Sequence, residues 1–205
     1  MEKHIALLHT KILNMIWERR LNVSTRGVTG YNPNEPEHIH YGTIAYSTIH
    51  AILLSLSLNS SDVFVDLGCG KGRALCCAAR YKIKKSIGVE YSEKLSREAE
   101  INAEKLRGRC SPVTIKHMLA QDFDYSQGTI FYMFHPFGPN VLHQVLKKMK
   151  EGFKVHHRSI RIVYVNPVHE AFLTDCDWLE EYDRWKPNTK GNNEHSVSFW
   201  RSKYP

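Results

Sequence analysis

The sequence lacks any apolar run long enough to cross a membrane, and its opening segment has no apolar stretch followed by a small-residue cleavage site. A disulfide framework is not indicated either: the five cysteines are odd in number and form no CxxC pair, so reduced thiols are expected. Internal repeats and low-complexity tracts are also absent. These absences favour a cytoplasmic, non-repetitive protein without membrane insertion.

The composition is that of an ordinary globular chain. With 205 residues, 42% of them apolar and 24% charged, the sequence is long enough for one compact domain with a hydrophobic core. The net charge of +7 permits acidic partners, including nucleic acid. The basic residues are scattered in small groups, however, which is typical of solvated helix and loop surfaces.

The N-terminal region is predicted to contain two helices with a loop between them. Residues 44–58 form a dense apolar stretch of helical character, and residues 21–40 have the glycine and proline content of a loop or lid. We expect residues 1–58 to pack on a core formed by residues 59–205, giving one compact domain overall. An amphipathic first helix is indicated by apolar residues at steps of three and four: Ile5, Leu8, Ile12, Met15 and Ile16.

Downstream, strand-like and helix-like stretches alternate. Strands are predicted at 63–67, 86–89, 113–117, 129–134 and 160–165, and helices at 74–80, 92–107 and 141–150. The tail instead gives strands at 178–185 and 196–200, joined by a turn region at 187–193. The prediction is an α/β fold: a mostly parallel sheet with helices on both faces and a C-terminal antiparallel hairpin.

A glycine-rich loop follows the first predicted strand. The segment VFVDLGCGKGR, residues 63–73, runs from an apolar strand through Gly68, Gly70 and Gly72 into a helix. Glycines at such a point allow a tight turn and a close approach to a ligand. The spacing differs from the dinucleotide fingerprint, because the third glycine follows the second by two residues rather than three. This spacing argues against NAD.

Acidic and amide side chains follow three successive strands. A carboxylate at Asp66 would repel a pyrophosphate but attract a ligand with an ammonium and a sulfonium, and S-adenosylmethionine carries both. Glu90 is placed to accept hydrogen bonds from a ribose diol. After the third strand, Gln121 and Asp122 precede Phe123, so that Asp122 can accept from the adenine amino group and Phe123 can pack on the ring. Each residue alone also fits a turn cap or an ordinary loop position.

The segments VFVDLGCGKGR, IGVEYS, AQDF and FYMFHPFG, within residues 63–138, together resemble the ordered motifs of class I S-adenosylmethionine-dependent methyltransferases. The resemblance implies a Rossmann-like seven-stranded sheet in the order 3-2-1-4-5-7-6 with strand 7 antiparallel, and S-adenosylhomocysteine as product. The segment YGTIAYSTIHAILLSL, residues 41–56, is similar to small bacterial methyltransferases. Those are distantly similar to protein-lysine methyltransferases that modify histones or an ATP-synthase subunit.

The predicted cofactor-binding residues come from the N-terminal helix region and from the ends of the first three strands. Tyr41 and Tyr46 are candidates to cover the methionine end of the cofactor, and core packing is an equal alternative for both. The full set is Tyr41, Tyr46, Asp66, Gly68, Cys69, Gly70, Gly72, Glu90, Tyr91, Gln121, Asp122 and Phe123.

The predicted catalytic residues are His135, Pro136 and Phe137, after the fourth strand. By resemblance, amino-methylating members carry an Asn or Asp, two prolines and an aromatic residue there, whereas this chain has a histidine and one proline. His135 is a candidate general base or hydrogen-bond partner of the acceptor; alternatively it is a strand-end residue and the backbone carbonyls hold the acceptor. No metal is expected, because the pairs His38/His40 and His156/His157 have no Cys or carboxylate at ligand spacing.

The expected function is transfer of the methyl group of S-adenosylmethionine to a nucleophile, with nitrogen of a protein lysine or a small-molecule amine favoured. An RNA or DNA methyltransferase is an alternative that the positive charge permits, although no appended nucleic-acid-binding module is present in the sequence. A non-catalytic regulatory protein that binds S-adenosylmethionine is another alternative, in which His135 would mark a lost active site.

Overall fold

The computed structural model describes residues 2–27, 41–156, 158–189 and 194–203. A short 3-10 helix spans Ala120–Asp122. The helices and strands, in chain order, are α1 (Glu2–Leu21), α2 (Tyr46–Ser55), β1 (Val63–Leu67), α3 (Arg73–Ala78), β2 (Lys85–Glu90), α4 (Glu93–Lys105), β3 (Val113–His117), β4 (Ile130–Phe134), α5 (Pro139–His156), β5 (Arg161–Val165), α6 (Ala171–Thr174), β6 (Leu179–Trp185) and β7 (Val197–Ser202).

The strands form one sheet in the order β3-β2-β1-β4-β5-β7-β6. The pairs from β3 to β5 are parallel, whereas β7 is antiparallel to both of its neighbours. This confirms the predicted fold class and strand order. The order reverses between β1 and β4, and the carboxyl ends of strands at such a switch point flank a crevice in which α/β proteins bind ligands.

Side chains of the central strands alternate between two apolar clusters, one on each face of the sheet. In β1, Val63, Val65 and Leu67 pack in the cluster that contains α5, whereas Phe64 packs in the cluster that contains α2 and α3. All residues of β1 are buried. Helices on both faces therefore cover the sheet, as the apolar character of its strands predicts.

The predicted packing of the apolar stripe on α1 is wrong for the four residues whose side chains the structure describes, Ile5 lying outside them. Leu8, Ile12, Met15 and Ile16 are 60%, 47%, 51% and 56% exposed. The other face packs instead, because Trp17 stacks beside α2 and Glu18 and Leu21 are buried. Both faces of this helix carry apolar residues, so spacing alone selects the wrong one.

Other boundaries differ by a few residues. The helix predicted at 141–150 begins at Pro139 and continues to His156, and the short helix α6 was not predicted. The predicted loop at 21–40 is described only to Gly27, and residues 190–193 of the predicted turn lie outside the described residues. In the described part of the chain, no helix is long and apolar enough to cross a membrane.

Candidate active site

A cavity of about 220 Å³ lies beyond the carboxyl ends of β1, β2 and β4. Its wall combines the glycine loop, the residue that ends β2, the 3-10 helix and the segment after β4. Of the predicted site residues, those that line it are Tyr41, Asp66, Gly68, Cys69, Glu90, Tyr91, Gln121, His135, Pro136 and Phe137. The sequence therefore identifies most of one continuous wall from segments far apart in the chain.

The glycine loop owes its shape to left-handed backbone and to crowding. Gly68, Gly70 and Gly72 have φ values of +71°, +53° and +79°, which side chains other than glycine rarely adopt. A Cβ atom on Gly68 would lie 2.5 Å from Pro136, and one on Gly70 would lie 2.2 Å from the ring of Tyr41. Gly72 caps the start of α3. Gly70 and Gly72 shape the loop without lining the cavity described here.

Glu90, the last residue of β2, connects this strand to the glycine loop. Its Oε2 accepts a hydrogen bond from the backbone N–H of Gly70 at 2.8 Å, and its Oε1 accepts one from that of Ser92 at 2.9 Å. Burial raises the pKa of Glu90, and these backbone donors oppose the rise. Each carboxylate oxygen keeps a second lone pair, so the side chain can still accept two ligand hydroxyls.

Asp66 is buried in β1 and lines the cavity. Burial, together with the nearby carboxylate of Glu90, raises the pKa of Asp66 to about 8. Without a cation beside it, the carboxyl group therefore holds its proton at neutral pH. A positively charged ligand would favour the ionised form and lower the pKa, because opposite charges stabilise each other at short range.

The residues after β3 divide into two groups. Gln121 lines the cavity, and its buried Oε1 has no hydrogen-bond partner among the described residues. Asp122 is exposed on the 3-10 helix, and Phe123 is buried in the core with its ring edge-on to Tyr125 at 5.2 Å. Neither of these lines the cavity. Of these three residues, only Gln121 therefore presents an acceptor to the cavity.

The predicted tyrosines also differ in position. Tyr41 lines the cavity, whereas Tyr46 is fully buried in the core and does not line it. Tyr46 contacts the Arg73 guanidinium, whose carbon lies 4.6 Å from the ring centroid.

Cys69 lies in the wall, and burial raises the pKa of its thiol well above the usual range. Burial therefore disfavours the thiolate, which is the nucleophilic form of cysteine.

His135 leaves β4 with a φ of +37°, in the left-handed region. Its ring centroid lies 5.3 Å from that of His169, and its Nδ1 is 3.5 Å from the Tyr164 hydroxyl, the outer limit of a hydrogen bond. Pro136 and Phe137 continue the wall toward α5. The left-handed turn at His135 therefore lies where the segment after β4 enters the cavity wall.

Sequence reasoning missed a buried polar cluster behind the wall. Arg73 lines the cavity although only 4% of it is exposed, and it is paired with Glu18 of α1. The one sequence signal is that Arg73 directly follows the glycine loop. No pattern connects it to Glu18, because the two residues are far apart in the chain and the contact is tertiary.

The lining residues fit S-adenosylmethionine. Asp66 offers an anion to a cationic ligand, Glu90 offers free lone pairs to hydroxyls, and the unpartnered Oε1 of Gln121 offers an acceptor to an adenine amino group. Within the described ranges, no group of three or more His, Cys, Asp or Glu side chains is arranged to hold a metal ion.

Two curated proteins and a solved structure resemble this chain. A protein-lysine N-methyltransferase of Saccharolobus islandicus is 30% identical over 135 residues, which is 63% of this chain and 82% of that protein. The H3 lysine-79-specific histone-lysine N-methyltransferase of Caenorhabditis elegans is 43% identical over 54 residues, which is 26% of this chain but only 6% of that protein. An RNA methyltransferase from Salinibacter ruber, crystallised with S-adenosylhomocysteine, has the same fold, with a TM-score of 0.56, 19% identity and coverage of 78% of this chain and 94% of that chain.

The family assignment rests on the region that builds the cavity. Residues 21–133, more than half of the chain, match the model of the histone methylation protein DOT1 family. The match runs from the end of α1 through β4 and includes the glycine loop, Asp66, Glu90 and Gln121. The chain belongs to the DOT1 family and is an S-adenosylmethionine-dependent methyltransferase.

Proposed function

We propose that the chain binds S-adenosylmethionine in the cavity described above and methylates the ε-amine of a lysine in another protein. The observation that carries the choice of acceptor is the match to the archaeal protein-lysine N-methyltransferase, which extends over 82% of that protein. The free, largely buried cysteines support a reducing compartment, and we propose the cytoplasm.

Different residues of the cavity wall would bind different parts of the cofactor. Asp66 and Glu90 would hold the cationic and hydroxyl-bearing parts of the cofactor, and Gln121 its adenine. Pro136 packs close to the Gly68 position and keeps the segment after β4 against the glycine loop. The bound cofactor supplies a methyl group already activated by a sulfonium, so the protein chiefly has to align an acceptor and exclude water.

His135 is the candidate to prepare the acceptor. A lysine side chain must lose a proton before its nitrogen can attack, and His135 lines the same cavity as Asp66 and Glu90. Its ring nitrogen can take that proton or hold the neutral amine by a hydrogen bond. Phe134 and Phe137 line the same cavity, and we expect their rings to limit the access of water to the acceptor.

The test uses the intact chain with methyl-labelled S-adenosylmethionine and separated protein, nucleic-acid and small-molecule fractions of a cell extract. We expect label in protein, recovered as methyl-lysine after acid hydrolysis. The Asp66→Asn variant should give little label in the same fractions, which distinguishes this activity from a contaminant. Label confined to RNA, DNA or a metabolite would contradict the lysine assignment, and an absence of label in every fraction would favour a non-catalytic role.

A further inference from the structure

A buried carboxylate lies behind the cavity wall, near the end of α1. Glu18 is only 4% exposed. Its Oε1 accepts hydrogen bonds from the backbone N–H and the hydroxyl of Thr25, at 2.8 Å each, and from Nη2 of Arg73 at 3.3 Å. Its Oε2 accepts from Nε of Arg26 at 2.7 Å. Both oxygens therefore bind groups from the segment after α1 or from the start of α3.

Thr25 connects Glu18 to Tyr41. The Thr25 hydroxyl donates its proton to Glu18, so it accepts from Nε of Arg73 at 2.8 Å and from the hydroxyl of Tyr46 at 3.1 Å. The carbonyl oxygen of Thr25 accepts from the hydroxyl of Tyr41. Because Glu18 accepts a hydrogen bond from the backbone N–H of Thr25, it also fixes the carbonyl oxygen that accepts the hydrogen bond of the Tyr41 hydroxyl.

Tyr41 and Arg73 bring this anchor to the cavity. Tyr41 lines the cavity and covers Gly70, whose N–H in turn donates to Glu90. Arg73 also lines the cavity, and its Nη1 donates to the carbonyl oxygen of Ile44 at 2.8 Å. Two series of contacts therefore connect the Glu18 carboxylate to the cavity wall. One passes through Thr25 to Tyr41 above the glycine loop, and the other passes through Arg73 at the start of α3.

We propose that Glu18 is a positioning residue for cofactor binding. It does not line the cavity described here, so it acts through Tyr41 and Arg73 rather than on the cofactor itself. This inference rests on the assignment of the cavity to S-adenosylmethionine. Its physical basis is that a buried guanidinium without its carboxylate is costly and would move or recruit water, and the wall would move with it.

The chain offers a matched control at the opposite end of the sheet. Asp62 is 5% exposed and directly precedes β1. It accepts from the hydroxyl of Thr129 at 2.9 Å and from Nη2 of Arg161 at 3.1 Å. Asp62 is therefore also a buried carboxylate paired with an arginine, but it lies at the amino end of β1, away from the cavity. Its loss should affect stability alone.

The experiment measures S-adenosylhomocysteine affinity by calorimetry and the unfolding midpoint for Glu18→Gln, Glu18→Ala and Asp62→Asn. We expect Glu18→Gln to weaken binding about tenfold and Glu18→Ala at least as much, in line with the value of one charged hydrogen bond. Asp62→Asn should lower the unfolding midpoint yet leave the dissociation constant within about twofold. Tyr41→Phe, which removes the hydroxyl bound to Thr25, should weaken binding, and adding Glu18→Gln to it should cost less than the two effects combined.

Two outcomes are decisive. If folded Glu18→Gln and Tyr41→Phe proteins keep wild-type affinity while Glu90→Ala loses it, Glu18 has a structural role only and the inference is overturned. If Glu90→Ala also keeps its affinity, the cavity is not the cofactor site and the underlying assignment fails. Should Glu18→Ala not fold, the Glu18→Gln and Tyr41→Phe comparison still decides the question.

Discussion

The ring of Tyr41 occupies the space that a side chain on Gly70 would need, at a distance of 2.2 Å from the ideal Cβ position. Replacing Gly70 by Ala therefore carries two penalties. The left-handed backbone alone costs about 1–2 kcal/mol for alanine, and the contact displaces Tyr41 from the cavity wall. We expect a lower free energy of unfolding, measured with denaturant, and weaker binding of S-adenosylhomocysteine.

The double variant Gly70→Ala/Tyr41→Ala separates these penalties. Removing the ring relieves the contact but not the backbone strain, so the double variant should lose less stability than the sum of the single changes. Strictly additive effects would show that the ring and the glycine act independently.

Asp66 should make cofactor binding depend on pH. Its pKa in the free protein is raised to about 8, and an ammonium or sulfonium beside it favours ionisation, so binding releases a proton below that pH. Affinity should rise between pH 6 and 8, by at most about tenfold per pH unit from this one group. Calorimetry in buffers with different ionisation enthalpies reports the released proton directly.

The same group affects the stability of the free protein with the opposite trend. The folded pKa of Asp66 lies well above the ordinary value of an aspartate, so the folded state binds more protons between these two values and the free energy of unfolding falls as pH rises toward about 8. Asp66→Asn should reduce the pH dependence of both cofactor affinity and the free energy of unfolding, and it should weaken cofactor binding. An unchanged pH profile in this variant would assign the proton to another group, with Glu90 the next to test.

The glycine loop can be predicted from the sequence because the strand, the glycines and the helix that form it are contiguous in the chain. The acidic residues follow because parallel strands bring their carboxyl ends to one edge of the sheet, where Asp66 and Glu90 are close enough for the charge of Glu90 to raise the pKa of Asp66. The sequence does not specify which residue beyond a strand end faces the cavity. Gln121 and Asp122 are neighbours, yet only Gln121 lines it. A single turn of 3-10 helix decides between them, and no sequence pattern fixes its rotation.

Contacts between distant segments account for most of what sequence cannot supply. The burial of Glu18 depends on Thr25 and Arg73, which approach it only in the folded chain. The same packing turns the Leu8 and Ile12 face of α1 outward. Helical spacing identifies an apolar stripe, but it does not specify which of two such faces meets the core.

Glu90 provides a direct test of the cofactor site. Glu90→Ala should weaken S-adenosylhomocysteine binding by about 1.5–3 kcal/mol, the usual value of hydrogen bonds to a charged acceptor. Part of this loss arises because the N–H groups of Gly70 and Ser92 lose their acceptor. Glu90→Gln keeps one acceptor oxygen and should fall between wild type and the alanine variant. Equal affinities for all three proteins would place the ribose elsewhere.

His135 is expected to act on the acceptor rather than on the cofactor, because it follows β4, whereas the carboxylates assigned to the cofactor belong to β1 and β2. Replacement must respect its left-handed backbone, with φ at +37°. Asparagine and glycine tolerate that conformation better than alanine, so His135→Asn and His135→Gly are the appropriate variants. Both should keep near wild-type affinity for S-adenosylhomocysteine by calorimetry.

Turnover distinguishes the possible roles of His135. Loss of a general base costs about 10²- to 10⁴-fold in rate, and His135→Asn, which can hydrogen-bond but is not basic, should then be as slow as His135→Gly. If the histidine only holds the amine by a hydrogen bond, His135→Asn should retain more activity than His135→Gly.

Full activity in both variants would assign the acceptor to the backbone carbonyls after β4. Loss of cofactor binding in a folded variant would contradict the placement of His135 on the acceptor side. His169→Asn is the control, because its ring lies beside His135 but is not in the cavity wall described here; this variant should retain most of the activity.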